Sequence, residues 1–253
     1  HLTVIDTDSN TIKSRLQVGK GTHSFALDTS RNRLYDFGLD SHVVRTIDTK
    51  SLRVIGRHRT PQHAQSMVLD AVHGWLYFDG RTSAGGRITA VDAMTWRTVK
   101  VISGIAVGGG LMALDVGADR LFASIVDDKD PGTMSIVDTA HSKVLRNISV
   151  GMWPARPVVD ERRHRVYLAT DSVPDLYVID TRTNKGVAHV QTNGSTGDPL
   201  LADRGARIYS ISTTAQTSTL AMIDPKTNSM IGSLPLTFGA RSAALDDAHN
   251  VMY

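Results

Sequence analysis

The chain has 253 residues, of which 41% are hydrophobic and 21% are charged, and this balance is typical of a folded globular protein and excludes a disordered one. Its formal net charge is +3, and it contains no cysteine, which excludes disulfides, thiolate nucleophiles and cysteine-rich zinc sites. No apolar run approaches about 18 residues, so no membrane span is predicted. Because the chain begins with His1 rather than Met, we expect a processed form or a fragment that has lost any signal peptide.

Two sequence landmarks each recur six times, at matching intervals along the chain. The first is a Val-Ile-Asp-Thr block or a near variant, whose aspartates are Asp6, Asp48, Asp92, Asp138, Asp180 and Asp224. The second is an aspartate after a short apolar stretch, found at Asp28, Asp70, Asp115, Asp160, Asp203 and Asp246. Six or seven residues later comes an aromatic, at Tyr35, Tyr77, Phe122, Tyr167, Tyr209 and Tyr253. Spacings of 42 to 46 residues between the first landmarks indicate one structural unit repeated along the chain.

Each unit is predicted to contain four short strands in a fixed order. The first precedes the second landmark, as in residues 24–27, and the second carries the aromatic, as in residues 165–169. The third ends in the first landmark, as in residues 176–180, and the fourth alternates apolar and polar side chains, as in residues 144–150. Sustained helical periodicity is nearly absent, so the protein is predicted to be all-β.

The two chain ends complement each other in this scheme. Residues 2–6 match a third strand and residues 251–253 match a second strand, so the two ends together supply the four strands of one unit. We therefore predict a single β-propeller domain over residues 1–253, with four-stranded antiparallel blades and a ring closed by pairing of the chain ends. Six repeats are visible, and an incomplete chain would allow seven blades. A solenoid is the competing repeat architecture, although its units are usually shorter.

The turn between the third and fourth strands carries a recurring Asp and Asn. In residues 180–184, the aspartate side chain can accept hydrogen bonds from backbone amides, and the asparagine tolerates a left-handed conformation. Residues 6–10 and 224–228 repeat this pattern. We therefore predict that these aspartates are structural and not catalytic.

Several segments resemble a known repeat family. Residues 178–184 (Val-Ile-Asp-Thr-Arg-Thr-Asn), residues 150–154 (Val-Gly-Met-Trp-Pro) and the aromatic second strand resemble the YVTN-type β-propeller repeat. Residues 18–21 (Val-Gly-Lys-Gly), followed by an apolar strand, resemble its YncE-like bacterial members. The resemblance covers essentially the whole chain, although no aromatic is followed by Val-Thr-Asn. It implies a propeller, often seven-bladed, in a periplasmic or extracellular protein, with DNA as a partner of some members, and it implies no reaction.

Residues just before the predicted innermost strands differ from one unit to the next, and these differences predict a ligand site at the mouth of a central channel. The candidate residues are His23, His63, Gln65, Trp153, Arg156, Asp198 and Arg241. Two arginines near a common axis could hold an anionic group through forked hydrogen bonds, and Trp153 could stack on a planar ligand. The alternative is that these groups bond to one another or to water in a wet channel.

Other motifs are weaker. The acidic residues 127–132 lack the length and the terminal Glu of a calcium-binding loop, so we assign no metal. The glycine-rich residues 108–110 and 194–197 open no predicted helix, so we assign no phosphate cradle and no cofactor. Basic residues form no dense run; the nearest is residues 161–165, at a predicted turn, where a solvated hairpin tip is the ordinary interpretation.

The leading functional hypothesis is a non-catalytic binding or scaffold module that takes an unknown protein or a small anionic ligand at the channel mouth or on a loop face. The first alternative is single-stranded DNA binding at a basic rim formed by turn arginines, namely Arg31, Arg33, Arg162, Arg163 and Arg165. The second is a metal-dependent lyase or lactonase with His23 or His63 as general base in the channel. No catalytic residue is assigned.

Overall fold

The computed structural model describes the chain apart from residues 20, 62, 84, 107–108, 127–131, 172, 203–205, 241 and 250. Every element in this described part is a β-strand, and none of it forms a helix that could cross a membrane. The chain divides into two compact units, unit 1 (His1–Ser103) and unit 2 (Gly104–Tyr253). The all-β prediction is therefore confirmed.

Unit 1 contains three antiparallel sheets whose strands follow chain order. The first sheet has two strands, β1 (Leu2–Asp6) and β2 (Thr11–Leu16). The second has four, β3 (Thr22–Asp28), β4 (Arg33–Gly38), β5 (Val43–Asp48) and β6 (Arg53–Arg59). The third has four, β7 (His63–Asp70), β8 (Trp75–Thr82), β9 (Gly85–Asp92) and β10 (Thr98–Ile105), whose last residues pass the boundary of the unit.

Unit 2 repeats the same sheet. One sheet comprises β11 (Gly109–Asp115), β12 (Arg120–Val126), β13 (Gly132–Asp138) and β14 (Lys143–Gly151). The next comprises β15 (Val158–Asp160), β16 (Arg165–Ala169), β17 (Asp175–Asp180) and β18 (Lys185–Gln191). A five-stranded sheet follows, with β19 (Ser195–Thr196), β20 (Leu200–Ala202), β21 (Arg207–Thr213), β22 (Ser218–Asp224) and β23 (Ser229–Leu236). Both β19 and β20 of this sheet pair with β21. The last sheet of unit 2 has only two strands, β24 (Leu245–Asp246) and β25 (Val251–Met252).

The landmark aspartates act at the turns, as the sequence predicts. The Asp180 carboxylate accepts hydrogen bonds from the amides of Arg182 and Thr183, both at 2.9 Å, and Asn184 has a left-handed φ of 55°. The second landmark does the same at the turn between the first two strands, where the Arg31 amide donates to Asp28 at 3.0 Å. These carboxylates therefore serve as acceptors for backbone groups that the turn leaves without strand partners.

Four of the recurring aromatics, Tyr35, Tyr77, Phe122 and Tyr167, are buried in the core, whereas Tyr209 is half-buried and Tyr253 is exposed. In unit 2, Phe122 is fully buried and clusters with Val166 and Leu168 of the next sheet. In unit 1, Tyr35 is fully buried in a cluster with Met67 and Leu76 of the next sheet. The second strand of each sheet thus supplies the large side chains that hold neighbouring sheets together.

The chain ends form the two separate two-stranded sheets, β1–β2 and β24–β25. The sequence prediction that these pairs join into one blade and close a ring stays a prediction, and so does the choice between six and seven blades.

The turn aspartate Asp180 is expected to make stability sensitive to acid. Burial raises its pKa, but the amide of Thr183 and the guanidinium of Arg165 outweigh this and hold the pKa at about 2, below the ordinary 3.8. A carboxylate with a depressed pKa contributes stability above its unfolded pKa and loses that contribution as the pH falls through the folded value. The Asp180→Asn variant should therefore cost clearly more stability near pH 7 than near about pH 2.5, as measured by urea unfolding.

A control for this comparison is the exposed Asp8, whose replacement by Asn should have little effect at either pH. An Asp180→Asn variant that loses the same stability at both pH values would contradict the assigned role of the carboxylate.

Candidate functional site

The first strand of each full sheet lies where neighbouring sheets converge. In unit 1, β3 contacts β7, and in unit 2, β11 contacts β15 and β15 contacts β20. The sequence-predicted ligand residues lie on these first strands in unit 1 and in the connections just before them in unit 2, as expected for the inner strands of propeller blades.

Two of the candidates occupy equivalent irregularities in unit 1. A β-bulge in β3 leaves His23 unpaired, and a β-bulge in β7 leaves Gln65 unpaired. The hydroxyls of the next residues, Ser24 and Ser66, are buried and have no hydrogen-bond partner among the described residues. Because bulges redirect side chains and are common beside binding sites, this equivalence keeps the inner strands of unit 1 as a candidate ligand surface.

The two histidines that the sequence places at the mouth have different ring contacts. His23 packs edge-on against Phe37, with centroids 6.2 Å apart. His63 instead faces His42, with its Nδ1 3.4 Å from the His42 Nε2 and the ring planes 78° apart. His42 was not predicted as a site residue, because it lies in the connection between β4 and β5 and not on a strand of the repeat.

In unit 2, the structure brings Arg156 and Asp198 together. The Arg156 amide donates a 2.8 Å hydrogen bond to the Asp198 carboxylate, and the guanidinium Nε lies 3.7 Å from its other oxygen. Asp198 therefore partly compensates the charge of Arg156, which weakens the case for an anion held jointly with Arg241. Arg241 and the acidic residues 127–131 lie outside the described residues.

Trp153 is the most exposed aromatic of the predicted site. Half of its surface is accessible, and its backbone has a left-handed φ of 54°. Its carbonyl accepts a 3.2 Å hydrogen bond from the Asp171 amide. The indole is thus presented at the surface of unit 2 just before β15, where a planar ligand could stack on it.

The arginines of the predicted basic rim are engaged by the landmark aspartates. Arg31 pairs with Asp28 at 2.8 Å, and Arg163 pairs with Asp160 at 2.8 Å. Arg33 pairs with Asp48 at 2.5 Å, and Arg165 pairs with Asp180. Four of the five arginines assigned to the rim are therefore compensated by carboxylates, so the rim has much less positive charge than its sequence indicates.

A different pair of arginines in unit 1 is uncompensated. Arg57 and Arg59 are exposed on β6, the last strand of its sheet, and neither forms an ion pair with any residue the structure describes. They border an opening of about 220 Å³, which is lined by Ser41, Val43, Arg45, Arg57, His58 and Arg59. We call Arg57, Arg59 and this opening the β6 basic surface.

A buried ion pair lies beside the β6 basic surface, on the same face of the sheet. Arg45 is opposite Arg57 in the strand register, and its Nε lies 2.6 Å from the Asp36 carboxylate. Both side chains are almost fully buried, and Arg45 also donates to the Thr22 hydroxyl at 3.3 Å. Asp36 therefore compensates the charge of Arg45, while the neighbouring Arg57 and Arg59 have no carboxylate partner among the described residues.

The charge of the whole chain is unevenly divided between the two units. Unit 1 contains 14 Lys and Arg residues against 9 Asp and no Glu, a formal charge of +5. Unit 2 contains 14 Lys and Arg residues against 16 Asp and Glu, a formal charge of −2. Arg57 and Arg59 therefore lie in the unit whose formal charge attracts anions.

Sequence reasoning missed the β6 basic surface because it looked for consecutive basic residues. Arg57 and Arg59 are separated by His58, and alternate residues of a strand share one face. The signal was present as an alternation of arginines on a predicted fourth strand.

The described part of the chain brings together no group of three or more His, Asp and Glu side chains that could hold a metal ion. The carboxylates are instead tied to turns, and the pKa of Asp48 is lowered to about 2 by the amide and hydroxyl of Ser51 and by Arg33.

Comparison with known proteins adds evidence on the fold. No protein-family model and no curated protein matches the sequence. A solved structure of Kuenenia stuttgartiensis hydrazine synthase is similar, with a TM-score of 0.82 over 99% of this chain and 88% of that chain, at 12% sequence identity. At such low identity, the likeness shows the fold alone. Together with the repeated four-stranded antiparallel sheets, it establishes a propeller-like all-β fold, while membership of the YVTN-type family stays a prediction.

Proposed function

We propose that this chain is a non-catalytic binding protein that takes an anionic partner on the β6 basic surface. The observation that carries the proposal is the contrast between two sets of arginines. Those at the turns, such as Arg31 and Arg163, are paired with landmark aspartates, whereas Arg57 and Arg59 are exposed without a carboxylate partner among the described residues. An unpaired guanidinium keeps five donors for phosphate or carboxylate oxygens.

The spacing of the two arginines suits an extended anion. Side chains two residues apart on a strand leave the same face about 7 Å from each other. Their long, flexible stems can therefore reach successive charged groups of a polymer, and the positive field of unit 1 favours its approach. A single-stranded nucleic acid and an acidic polypeptide both offer such groups.

The chemistry of the carboxylates favours binding over catalysis. A general acid or base works best when its pKa lies near the operating pH. Hydrogen bonds from the Ser51 amide and hydroxyl, with the Arg33 guanidinium, instead hold the pKa of Asp48 at about 2. Asp180 is held at a similar value within its turn. These groups remain ionised acceptors across the physiological range.

Arginines on an edge strand also have a purely protective use, since charge there discourages association through the open edge. The two roles differ in their consequences. If the role is protective, a variant without Arg57 and Arg59 should self-associate, and its affinity for anions should be unchanged.

The test is fluorescence anisotropy with a labelled oligodeoxythymidine of about 15 nucleotides at low salt. The double variant Arg57→Ser/Arg59→Ser is expected to bind roughly tenfold to thirtyfold more weakly, because two phosphate contacts of about 1 kcal/mol each are lost. Labelled polyglutamate in the same assay distinguishes an acidic polypeptide from a nucleic acid as the preferred class of partner.

The matched control is Arg31→Ser/Arg33→Ser, which removes the same charge from the same unit at residues already paired with aspartates. It should change the affinity less than about twofold, because only the general field of the protein is altered. Equal losses in both double variants, or no binding of either polymer by the unaltered chain, would contradict the proposal.

A further inference from the structure

We propose that His42 and His63 of unit 1 form a binding site for a divalent transition metal ion. The two imidazoles come from different parts of the chain, His42 from the connection between β4 and β5 and His63 from the first residue of β7.

The distance between the two ring nitrogens is the first argument. The Nε2 of His42 and the Nδ1 of His63 are 3.4 Å apart, which is long for a hydrogen bond between nitrogens. Two nitrogens that each lie about 2.0–2.1 Å from one tetrahedral ion are about 3.4 Å from each other. The observed separation thus equals one edge of a metal coordination tetrahedron.

The backbone at His42 is the second argument. Eleven non-glycine residues of the described chain have a left-handed φ, and nine of them occupy the fourth position after a landmark aspartate. The two exceptions are His42, with a φ of 48°, and Trp153. The His42 amide donates to the Leu39 carbonyl at 3.3 Å, so a turn of its own between β4 and β5 fixes the backbone of this residue.

Both histidines are positioned by one short connection. The Thr60 amide donates to the His42 carbonyl at 2.9 Å, and the Thr60 hydroxyl donates to the same oxygen at 3.3 Å. Thr60 comes directly after β6, and His63 opens β7 three residues later. The backbone of His42 is thus tied to a residue three positions before His63, which limits how far the two residues can move apart and lowers the entropic cost of binding.

The accessible nitrogen of His42 is the one that faces His63. Its Nδ1 is buried and has no partner among the described residues, so an ion can reach this ring only through Nε2. His63 is exposed, which leaves the remaining coordination positions open to water.

The donor set selects the class of ion. Imidazole nitrogen suits Cu²⁺, Zn²⁺ and Ni²⁺, whereas Mg²⁺ and Ca²⁺ require oxygen ligands. No third His, Asp or Glu joins the pair in the described part of the chain, and Arg81 lies opposite His63 in the register of β7 and β8. Two ligands beside the positively charged Arg81 give a weaker metal site than a closed site with four protein ligands. We therefore expect a dissociation constant in the micromolar range, with Cu²⁺ bound more tightly than Zn²⁺.

The test is calorimetric titration of the full chain with CuCl₂ and with ZnCl₂ in a buffer that does not coordinate metals. One ion per chain should bind, and the His42→Gln and His63→Gln variants should each lose at least about tenfold in affinity. The control His73→Gln removes an exposed histidine that is paired with Asp70 in the same unit, and it should bind as the unaltered chain does.

Two further measurements distinguish a loss of metal binding from a loss of folding. Because His63 is exposed, its Gln variant should retain the thermal midpoint of the unaltered apo protein but lose the stabilisation that Cu²⁺ confers. Electron paramagnetic resonance of the Cu²⁺ form should show two nitrogen ligands, and acidification should release the ion because protonated imidazole cannot coordinate. Absence of binding, or unchanged binding in both the His42→Gln and His63→Gln variants, would overturn the proposal.

Discussion

Replacing Asp36 by alanine is expected to lower the free energy of unfolding by about 3–5 kcal/mol, because it leaves the buried guanidinium of Arg45 without its counter-ion. The Arg45 side chain is 3% exposed and that of Asp36 is fully buried, so water cannot replace the lost carboxylate. The remaining hydrogen bond from Arg45, to the Thr22 hydroxyl at 3.3 Å, does not carry a negative charge. Urea unfolding of the two proteins measures the difference.

A double variant separates the loss of the pair from the loss of a side chain. Asp36→Leu/Arg45→Met removes both charges and replaces them with apolar groups, and such replacements are often neutral or stabilising. It should recover most of the stability lost in Asp36→Ala. An Asp36→Ala variant within about 1 kcal/mol of the unaltered chain would show that the pair is not buried as described.

Replacing Phe122 by alanine is also expected to cost about 3–5 kcal/mol. Phe122 lies on β12 and is fully buried against Val166 and Leu168 of the neighbouring sheet in unit 2. Removing the ring deletes its hydrophobic contribution and leaves a cavity between two sheets that cannot fully collapse. Urea unfolding again measures the change.

Phe238 is the matched control, because 62% of its surface is exposed. The Phe238→Ala variant should stay within about 0.5 kcal/mol of the unaltered protein. Equal effects of the two substitutions would contradict the face-to-face packing of neighbouring sheets through the recurring aromatic.

The features that sequence reasoning predicted well are local ones. The turn at residues 180–184 follows from the hydrogen bonds of Asp180 and the left-handed preference of Asn184, which depend on a few adjacent residues. The four-stranded sheet follows from short alternating segments between such turns. Each repeat supplies the same information again, so the architecture is predicted more securely than any single strand.

The features that were not predicted from the sequence depend on the register between strands or on irregular connections. Arg165 meets Asp180 because β16 and β17 pair with those two residues opposite each other, and 15 positions separate them in sequence. His42, in the connection between β4 and β5, meets His63, the first residue of β7. The predicted ligand site at a channel mouth stays a prediction, and the structure shows one contact within it, between Arg156 and Asp198.

The role of the β6 basic surface is tested most directly by the salt dependence of oligodeoxythymidine binding. The slope of log K against log salt is about −0.7 for each phosphate that a protein neutralises on a single strand. If Arg57 and Arg59 each contact a phosphate, their joint replacement by serine should make the slope shallower by about 1.4, while Arg31→Ser/Arg33→Ser leaves it unchanged. A slope that is the same in the unaltered chain and in Arg57→Ser/Arg59→Ser would contradict the assignment of the binding surface.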